Sequence, residues 1–272
     1  MYKNNCSILG LTKDRCKFTT SDFPSENPRT QTRNYSYTRP LALMGKKQYM
    51  TKIKGVHVGI IPDGMRRWSK ENNISLMESY LTSLNNIDSI ISYFFSNEVK
   101  ILSIYSLSSD NLQRDSDEVE SIIYAETLYF HKFLPEICKK WNSKFIAVGN
   151  IDDITNVEFK NAIINLQKLT MNFSERKMYA LINYDPLDDF ISVSENIINN
   201  NTNINLFDFL KVKEPVDLLI RTGKVKRTSN FLPFNIGYAE LRFIDKLFIN
   251  TGIEDFKSVY ESFINENRKY GR

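Results

Sequence analysis

From residue 56 onward, short apolar runs alternate with longer segments of helical period. The runs are rich in β-branched residues and predict six strands at 56–61, 101–105, 145–148, 178–183, 217–220 and 240–244. Between them, apolar residues recur every three or four positions, which predicts amphipathic helices over 76–95, 118–140, 155–173 and 187–198. The pattern therefore predicts a single α/β domain over residues 56–272, with a mainly parallel six-stranded sheet covered by helices on both faces.

The first 55 residues differ from the rest in both pattern and charge. They lack apolar periodicity and carry 11 Lys/Arg against 3 Asp/Glu, whereas residues 56–272 carry 25 against 29. We expect residues 1–55 to form a loosely structured extension, with organelle targeting as an open alternative. Because the body is net acidic, the total charge of +4 does not indicate a nucleic-acid partner.

Cysteine spacing and hydropathy narrow the class of protein further. Cys6, Cys16 and Cys138 lack the spacing of a zinc site, and only two histidines are present, so reduced thiols are expected. No apolar run has the length of a transmembrane helix, and the first 20 residues show no signal-peptide core. We therefore expect a cytoplasmic protein without a transmembrane segment.

Polar side chains follow three of the predicted strands, and parallel strands present such residues at one edge of the sheet. The segments are Pro-Asp-Gly-Met-Arg-Arg-Trp at 62–68, Ser-Leu-Ser-Ser-Asp-Asn-Leu-Gln-Arg at 106–114, and a basic stretch at 221–230. Asp63 precedes a helix expected to begin near Met65, where backbone N–H groups attract anions, and Gly64 would let a phosphate come close. An aspartate beside phosphate oxygens suits Mg²⁺. The alternative is that Asp63 caps this helix and Arg66 and Arg67 are solvated surface charges.

The stretch at 221–230 indicates a small polyphosphate ligand. It places four cations close to hydroxyl-bearing residues and backbone amides, and arginine binds phosphate through two parallel hydrogen bonds. The cations are Arg221, Lys224, Lys226 and Arg227. No nucleotide-binding glycine loop or serine-hydrolase elbow is present. His57 lies inside the first strand and is expected to be packed or hydrogen-bonded there, not to act as a base.

These segments resemble the cis-prenyltransferase family, whose members include the undecaprenyl diphosphate synthases. The resemblance covers about residues 56–271 and rests on three blocks, which are HVGIIPDGMRRW at 57–68, YSLSSDNLQR at 105–114, and DLLIRTG with RTSNFL and YAELRF within 217–243. It implies a homodimer, Mg²⁺ and isoprenoid diphosphate substrates, namely dimethylallyl diphosphate and also isopentenyl or longer allylic diphosphates.

The resemblance also implies roles for individual residues. Asp63 matches the essential aspartate that handles Mg²⁺ and the allylic diphosphate, and Asn111 and Ser108 match the active-site Asn and Ser. Glu240 matches a glutamate that reaches the partner subunit's site or its metal. The implied substrate-binding residues are Gly64, Met65, Arg66, Arg67, Trp68, Arg114, Arg221, Arg227 and Ser229.

Several positions depart from the family pattern. The usual Asn of the first loop is Met65, a diphosphate-binding arginine and a histidine are missing from 76–83, and Gly-Glu-x-Arg reads Lys-Val-Lys-Arg at 224–227. The first loop and Pro233 instead resemble the cyclolavandulyl diphosphate synthase branch, which joins two dimethylallyl units head to middle. We therefore predict irregular coupling of allylic diphosphates, with pyrophosphate released. Regular cis elongation with isopentenyl diphosphate and a non-catalytic diphosphate-binding subunit stay open.

The helix predicted at 118–140 carries two large residues, Tyr129 and Phe133, that could limit the length of the product. They would do so by closing an apolar tunnel for the prenyl chain. The alternative is that the same stripe is ordinary hydrophobic core.

Overall fold

The computed structural model describes residues 55–200 and 209–266, with side chains for 55–195 and 209–266. Apart from Gly55, the predicted extension lies outside the described residues. Its loose structure, a targeting role and the domain boundary at 55/56 therefore stay predictions.

In the described part of the chain, six parallel strands form one sheet in the order β3-β4-β2-β1-β5-β6. They are β1 (Val56–Ile61), β2 (Val99–Ser108), β3 (Ser143–Val148), β4 (Arg176–Tyr184), β5 (Leu218–Arg221) and β6 (Glu240–Phe243). Each coincides with or overlaps a predicted strand, and β1 matches its prediction residue for residue. The predicted α/β class and parallel six-stranded sheet are confirmed.

Within residues 55–200 and 209–266, seven α-helices connect and follow these strands. They are α1 (Met65–Asn72), α2 (Leu76–Ser96), α3 (Ser116–Leu128), α4 (Leu134–Trp141), α5 (Val157–Thr170), α6 (Pro186–Asn200) and α7 (Ile253–Asn265). The helix predicted over 118–140 is confirmed as a continuous helical stretch, in which a π-helical turn at Tyr129–Phe133 joins α3 to α4. None of the described helices combines the length and the apolar character needed to cross a membrane.

The two faces of the sheet have different covers. Alternate residues of β1, namely Val56, Val58 and Ile60, belong to the larger core, which also contains residues of α2, α3, α4, α5 and α7. The opposite face packs against α6 and against the non-helical stretches 209–217 and 222–239 on either side of β5, which contribute Val216, Phe231 and Leu232 to a second core. The thicker helical layer lies on the face that carries the cavity described below.

The outer edge of β3 is covered by side chains of α5. Thr170 Oγ1 accepts a hydrogen bond from the Phe145 N–H (3.1 Å), and Gln167 Oε1 accepts one from the Ala147 N–H (3.0 Å). Backbone donors that would otherwise face outward are thus paired, which protects this edge from pairing with another strand.

His57 is a buried structural residue, as its position in the first strand predicts. Its Nε2 lies 2.7 Å from Ser103 Oγ and its Nδ1 lies 3.1 Å from the Pro215 carbonyl oxygen. Burial lowers the pKa of the imidazole to about 4, and the nearby Asp217 charge only partly offsets this. The ring is therefore neutral at physiological pH.

Candidate active site

The Asp63 loop joins β1 to α1 at the carboxyl edge of the sheet. Gly64 is the N-cap residue of α1 and has a φ of 130°, which favours glycine. A Cβ at Gly64 would lie 2.9 Å from Leu247 Cβ, so the observed close approach is to Leu247. A phosphate-binding role for Gly64 stays a prediction.

Asp63 is held by two arginines from different elements. Its Oδ2 accepts from Arg221 Nη2 at 2.8 Å, and its Oδ1 accepts from Arg67 Nη2 at 3.1 Å. The backbone is fixed as well, because Thr222 Oγ1 accepts from the Asp63 N–H and donates to the Asp63 carbonyl. The carboxylate makes no capping hydrogen bond to α1, so the alternative of Asp63 as a helix cap is wrong.

Arg221 connects the Asp63 loop to the basic segment at 221–230. It ends β5 and is 5% exposed, and its Nη1 donates to Ser229 Oγ and to the Arg227 carbonyl, both at 2.7 Å. Arg227 Nε also reaches Ser229 Oγ, at 3.3 Å. The structure thus places Asp63, Arg221, Arg227 and Ser229 together, and the Arg227 side chain is exposed to solvent.

A second ionic cluster lies beside α1 and surrounds a glutamate that the sequence analysis did not single out. Glu118, buried in the first turn of α3, contacts Arg114 Nη1 at 2.6 Å and Arg66 Nη1 at 3.7 Å. It also accepts from the Tyr80 hydroxyl at 3.2 Å. Burial and then the Glu118 charge raise the pKa of Tyr80. The four-residue spacing from Arg114 to Glu118 was the available signal.

Three predicted residues contact residues other than Asp63. Ser108 and Asn111 cap the 3₁₀ turn Ser109–Gln113 reciprocally, each side chain accepting the other's backbone N–H at 3.2 Å. Trp68 Nε1 donates to Asn250 Oδ1 at 3.0 Å. Their catalytic and substrate-binding roles stay predictions.

The predicted metal pair Asp63 and Glu240 is not assembled within one chain. Glu240 begins β6, lies opposite Leu218 and pairs with Arg242 at 3.3 Å, whereas Asp63 follows the carboxyl end of β1. Among the described residues, no group of three or more His, Cys, Asp or Glu side chains could hold a metal ion. A metal at this site would have to rely on Asp63 and on oxygens from a substrate or a partner subunit.

A mainly apolar cavity of about 100 Å³ opens behind the Asp63 loop. Pro62 and Met65 line it at the loop, and side chains of α2, α3 and the sheet line the remainder. Tyr129 lines this cavity, but Phe133 does not and is 45% exposed, so the predicted tunnel closure by Phe133 is wrong. The cavity also contains Glu126 and Ser106, a polar pair that the sequence analysis missed.

The site combines one carboxylate, several guanidinium groups and an apolar cavity at the carboxyl edge of a parallel sheet. This arrangement defines the class of α/β enzymes that act on substrates with an anionic head and an apolar tail.

Comparison with known proteins agrees with this class. Residues 61–271 match the family model described as "Putative undecaprenyl diphosphate synthase". The chain therefore belongs to the undecaprenyl diphosphate synthase family of cis-prenyltransferases, which are transferases.

Individual relatives cover most of the domain. A farnesyl-diphosphate-specific ditrans,polycis-undecaprenyl-diphosphate synthase of Buchnera aphidicola is 30% identical over 79% of this chain and 90% of its own length. A geranylgeranyl-diphosphate-specific tritrans,polycis enzyme of Sulfurisphaera tokodaii is 29% identical over 79% and 87%. The crystal structure of lavandulyl diphosphate synthase from Lavandula x intermedia with dimethylallyl diphosphate is similar with a TM-score of 0.73 and 25% identity, over 79% and 98%.

Proposed function

We propose that the protein couples two short allylic diphosphates head to middle, in a Mg²⁺-dependent reaction that releases pyrophosphate. The observation that carries this proposal is the cavity of about 100 Å³ behind Asp63. A dry protein cavity of about 150 Å³ holds a six-carbon benzene ring, so this volume suits a C5 prenyl group and not a polyprenyl chain. The similarity to a lavandulyl diphosphate synthase with dimethylallyl diphosphate bound supports the same substrate class.

The charged groups suit the head of the donor substrate. Arg67 and Arg221, which contact Asp63, can hold diphosphate oxygens, and the exposed Arg227 can hold those of the second substrate. When the allylic C–O bond breaks, its electron pair leaves with the diphosphate, and the guanidinium groups stabilise that charge. The alkene of the second substrate then bonds to the allylic carbon, and a proton is lost.

Asp63 fits the way in which Mg²⁺ is usually bound, through one or two carboxylates completed by substrate phosphates. Its side chain is 27% exposed, and both of its contacts are guanidinium groups that a diphosphate would also attract. When bound, the cation would add charge stabilisation to the leaving diphosphate.

Regular elongation with isopentenyl diphosphate is the second candidate. It is supported by the names of the Buchnera and Sulfurisphaera relatives, which are polyprenyl-forming synthases. Those enzymes accept C15 and C20 starters according to their names, so a longer apolar cavity would have to open in this chain.

We also propose a homodimer, in which Glu240 of one subunit serves the site of the other.

The deciding experiment supplies the purified full chain with Mg²⁺ and either dimethylallyl diphosphate alone or a pair of C5, C10 or C15 diphosphates with isopentenyl diphosphate. Pyrophosphate release is measured, and products are identified by mass spectrometry. Asp63→Asn, which keeps the side-chain size, is expected to abolish turnover. Asp152→Asn, a fully exposed aspartate in the turn before α5, is the matched control and should retain it.

Each outcome selects one hypothesis. A branched or cyclic C10 product from dimethylallyl diphosphate alone supports head-to-middle coupling. Linear products formed only with isopentenyl diphosphate support regular elongation. Diphosphate binding without turnover under every combination would identify a non-catalytic binding subunit, and unchanged turnover in Asp63→Asn would refute the proposed role of the carboxylate.

A further inference from the structure

One carboxylate oxygen in the apolar cavity has no hydrogen-bond partner. The Ser106 hydroxyl donates to Glu126 Oε1, whereas Glu126 Oε2 is buried and unpaired among the described residues. Other polar groups that line the cavity are paired, since the Tyr80 hydroxyl donates to Glu118 and the Tyr129 hydroxyl to Asp88. Because buried polar atoms almost always have partners, the exception requires an explanation.

A β-bulge in β2 positions the Ser106 side chain of this polar pair. Between Tyr105 and Leu107, β2 contains one residue more than the facing part of β4, where Leu181 is followed directly by Ile182. Ser106 is that extra residue. Such a bulge turns a side chain out of the regular alternation of a strand, and bulges are frequent beside active sites.

The polar pair and the Asp63 loop share one cavity, because Pro62 and Met65 of the loop line it together with Ser106 and Glu126. β1 and β2 pair through Ile60 and Ile104. Pro62 follows the end of β1, two residues after Ile60, and Ser106 stands in β2, two residues after Ile104. Neighbouring strands are about 4.8 Å apart. The three carbon–carbon bonds from C1 to C4 of a dimethylallyl group span about 4 Å. A chain whose diphosphate lies at Asp63 can therefore bring its last carbon towards Glu126.

A plain hydrocarbon end would leave Glu126 Oε2 unpaired against it. A hydroxyl group there would pair in either protonation state of the carboxyl, because it can both donate and accept. Burial, partly offset by the Ser106 hydrogen bond, raises the pKa of Glu126 to about 7, so both states are populated near neutral pH.

We propose that Glu126 and Ser106 select a C5 allylic diphosphate that carries a hydroxyl group on the carbon farthest from the diphosphate. This inference rests on the proposed function for the position of the diphosphate, and it names a narrower substrate class for the same site. A site built to pair a substrate hydroxyl discriminates strongly against the analogue that lacks it, since the buried protein group is then left unsatisfied.

The test compares dimethylallyl diphosphate with both double-bond isomers of its 4-hydroxy derivative. Use of each compound as the allylic donor is measured as kcat/KM with the full chain. Binding is measured separately by calorimetry with thiolodiphosphate analogues, whose C–S bond to the leaving group does not break. We expect one hydroxylated isomer to be preferred by about 10- to 100-fold. Glu126→Leu should remove this preference, and Ser106→Ala should reduce it. Glu120→Leu, an exposed glutamate on the same helix α3, is the control and should keep it.

Calorimetry separates failure of this inference from failure of the proposed function. A binding preference that Glu126→Leu abolishes supports the inference even if neither compound is turned over. Equal or weaker binding of both hydroxylated isomers overturns it, whether or not dimethylallyl diphosphate is coupled, and Oε2 would then be paired by a trapped water. Glu126→Met, which has a similar length and no N–H or O–H group, serves if the leucine variant does not fold, and it too should remove the preference.

Discussion

Replacing Glu126 with glutamine should stabilise the protein above neutral pH. Burial is the main cause that raises the pKa of this carboxyl from 4.5 to about 7, and the Ser106 hydrogen bond opposes it. One pKa unit corresponds to about 1.36 kcal/mol, so ionising Glu126 in the folded protein costs about 3 kcal/mol. Glutamine has a similar shape and cannot ionise.

Proton linkage determines how the stability of the wild type changes with pH. The folded protein binds the Glu126 proton more tightly than the unfolded chain does, so the free energy of unfolding falls as pH rises from 4.5 to 7. The glutamine variant lacks this fall. Its advantage over the wild type should therefore be larger at pH 8 than at pH 5, by about 2–3 kcal/mol.

Urea unfolding at pH 5 and pH 8, followed by the fluorescence of the two tryptophans, measures this difference. Glu120→Gln, at an exposed position on α3, is the control and should keep the wild-type dependence on pH. If Glu126→Gln and the wild type show parallel changes between the two pH values, Glu126 is not held in a desolvated environment, and the argument from its burial fails.

Three further predictions concern the sheet and its carboxyl edge. Gly149→Ala should destabilise the fold by about 3–5 kcal/mol in thermal unfolding, because φ is 143° and a Cβ would lie 1.8 Å from a backbone oxygen; Gly237→Ala, which meets nothing within 4 Å, should be nearly neutral. Burial lowers the pKa of His57 from 6.5 to about 4, so the folded protein resists protonation of this ring. Between pH 7.5 and pH 5, the free energy of unfolding of the wild type should therefore fall by about 2 kcal/mol relative to that of His57→Gln, as measured by chemical unfolding. Arg221→Lys should lower kcat/KM about 100-fold in the pyrophosphate-release assay, because lysine cannot contact Asp63 and Ser229 with a two-pronged group; an unchanged value would contradict this.

The sheet was predictable because buried parallel strands consist of short, nearly continuous apolar runs. The helix over 118–140 was predicted without a break because its apolar spacing is regular throughout. The structure has a π turn there, in which the Leu134 N–H donates to the Tyr129 carbonyl. Pro135 follows at once and has no N–H of its own to donate, which favours a shift in the hydrogen-bond pattern. The stretches 209–217 and 222–239, on either side of β5, cover the second face without helical period, so no pattern could reveal this cover.

The site was predictable where it depends on strand ends. Asp63 and Arg221 come together because β1 and β5 are neighbours and both end at the same edge. The contact of Arg66 and Arg114 with Glu118 was not foreseen, because Glu118 looks like an ordinary residue in the first turn of a helix. Glu126 could not be recognised either, since only the folded chain shows that its carboxyl faces an apolar cavity.

Because two guanidinium groups contact the Asp63 carboxylate, its availability to a cation depends on what else is bound. A diphosphate that draws Arg67 and Arg221 to its own oxygens would release the carboxylate for a cation, and a cation on the carboxylate would release the arginines for a diphosphate. Each would therefore raise the affinity of the other by the same factor, as thermodynamic reciprocity requires. Under the proposed function, these ion pairs would hold the Asp63 carboxylate until a diphosphate head group and a metal ion bind together.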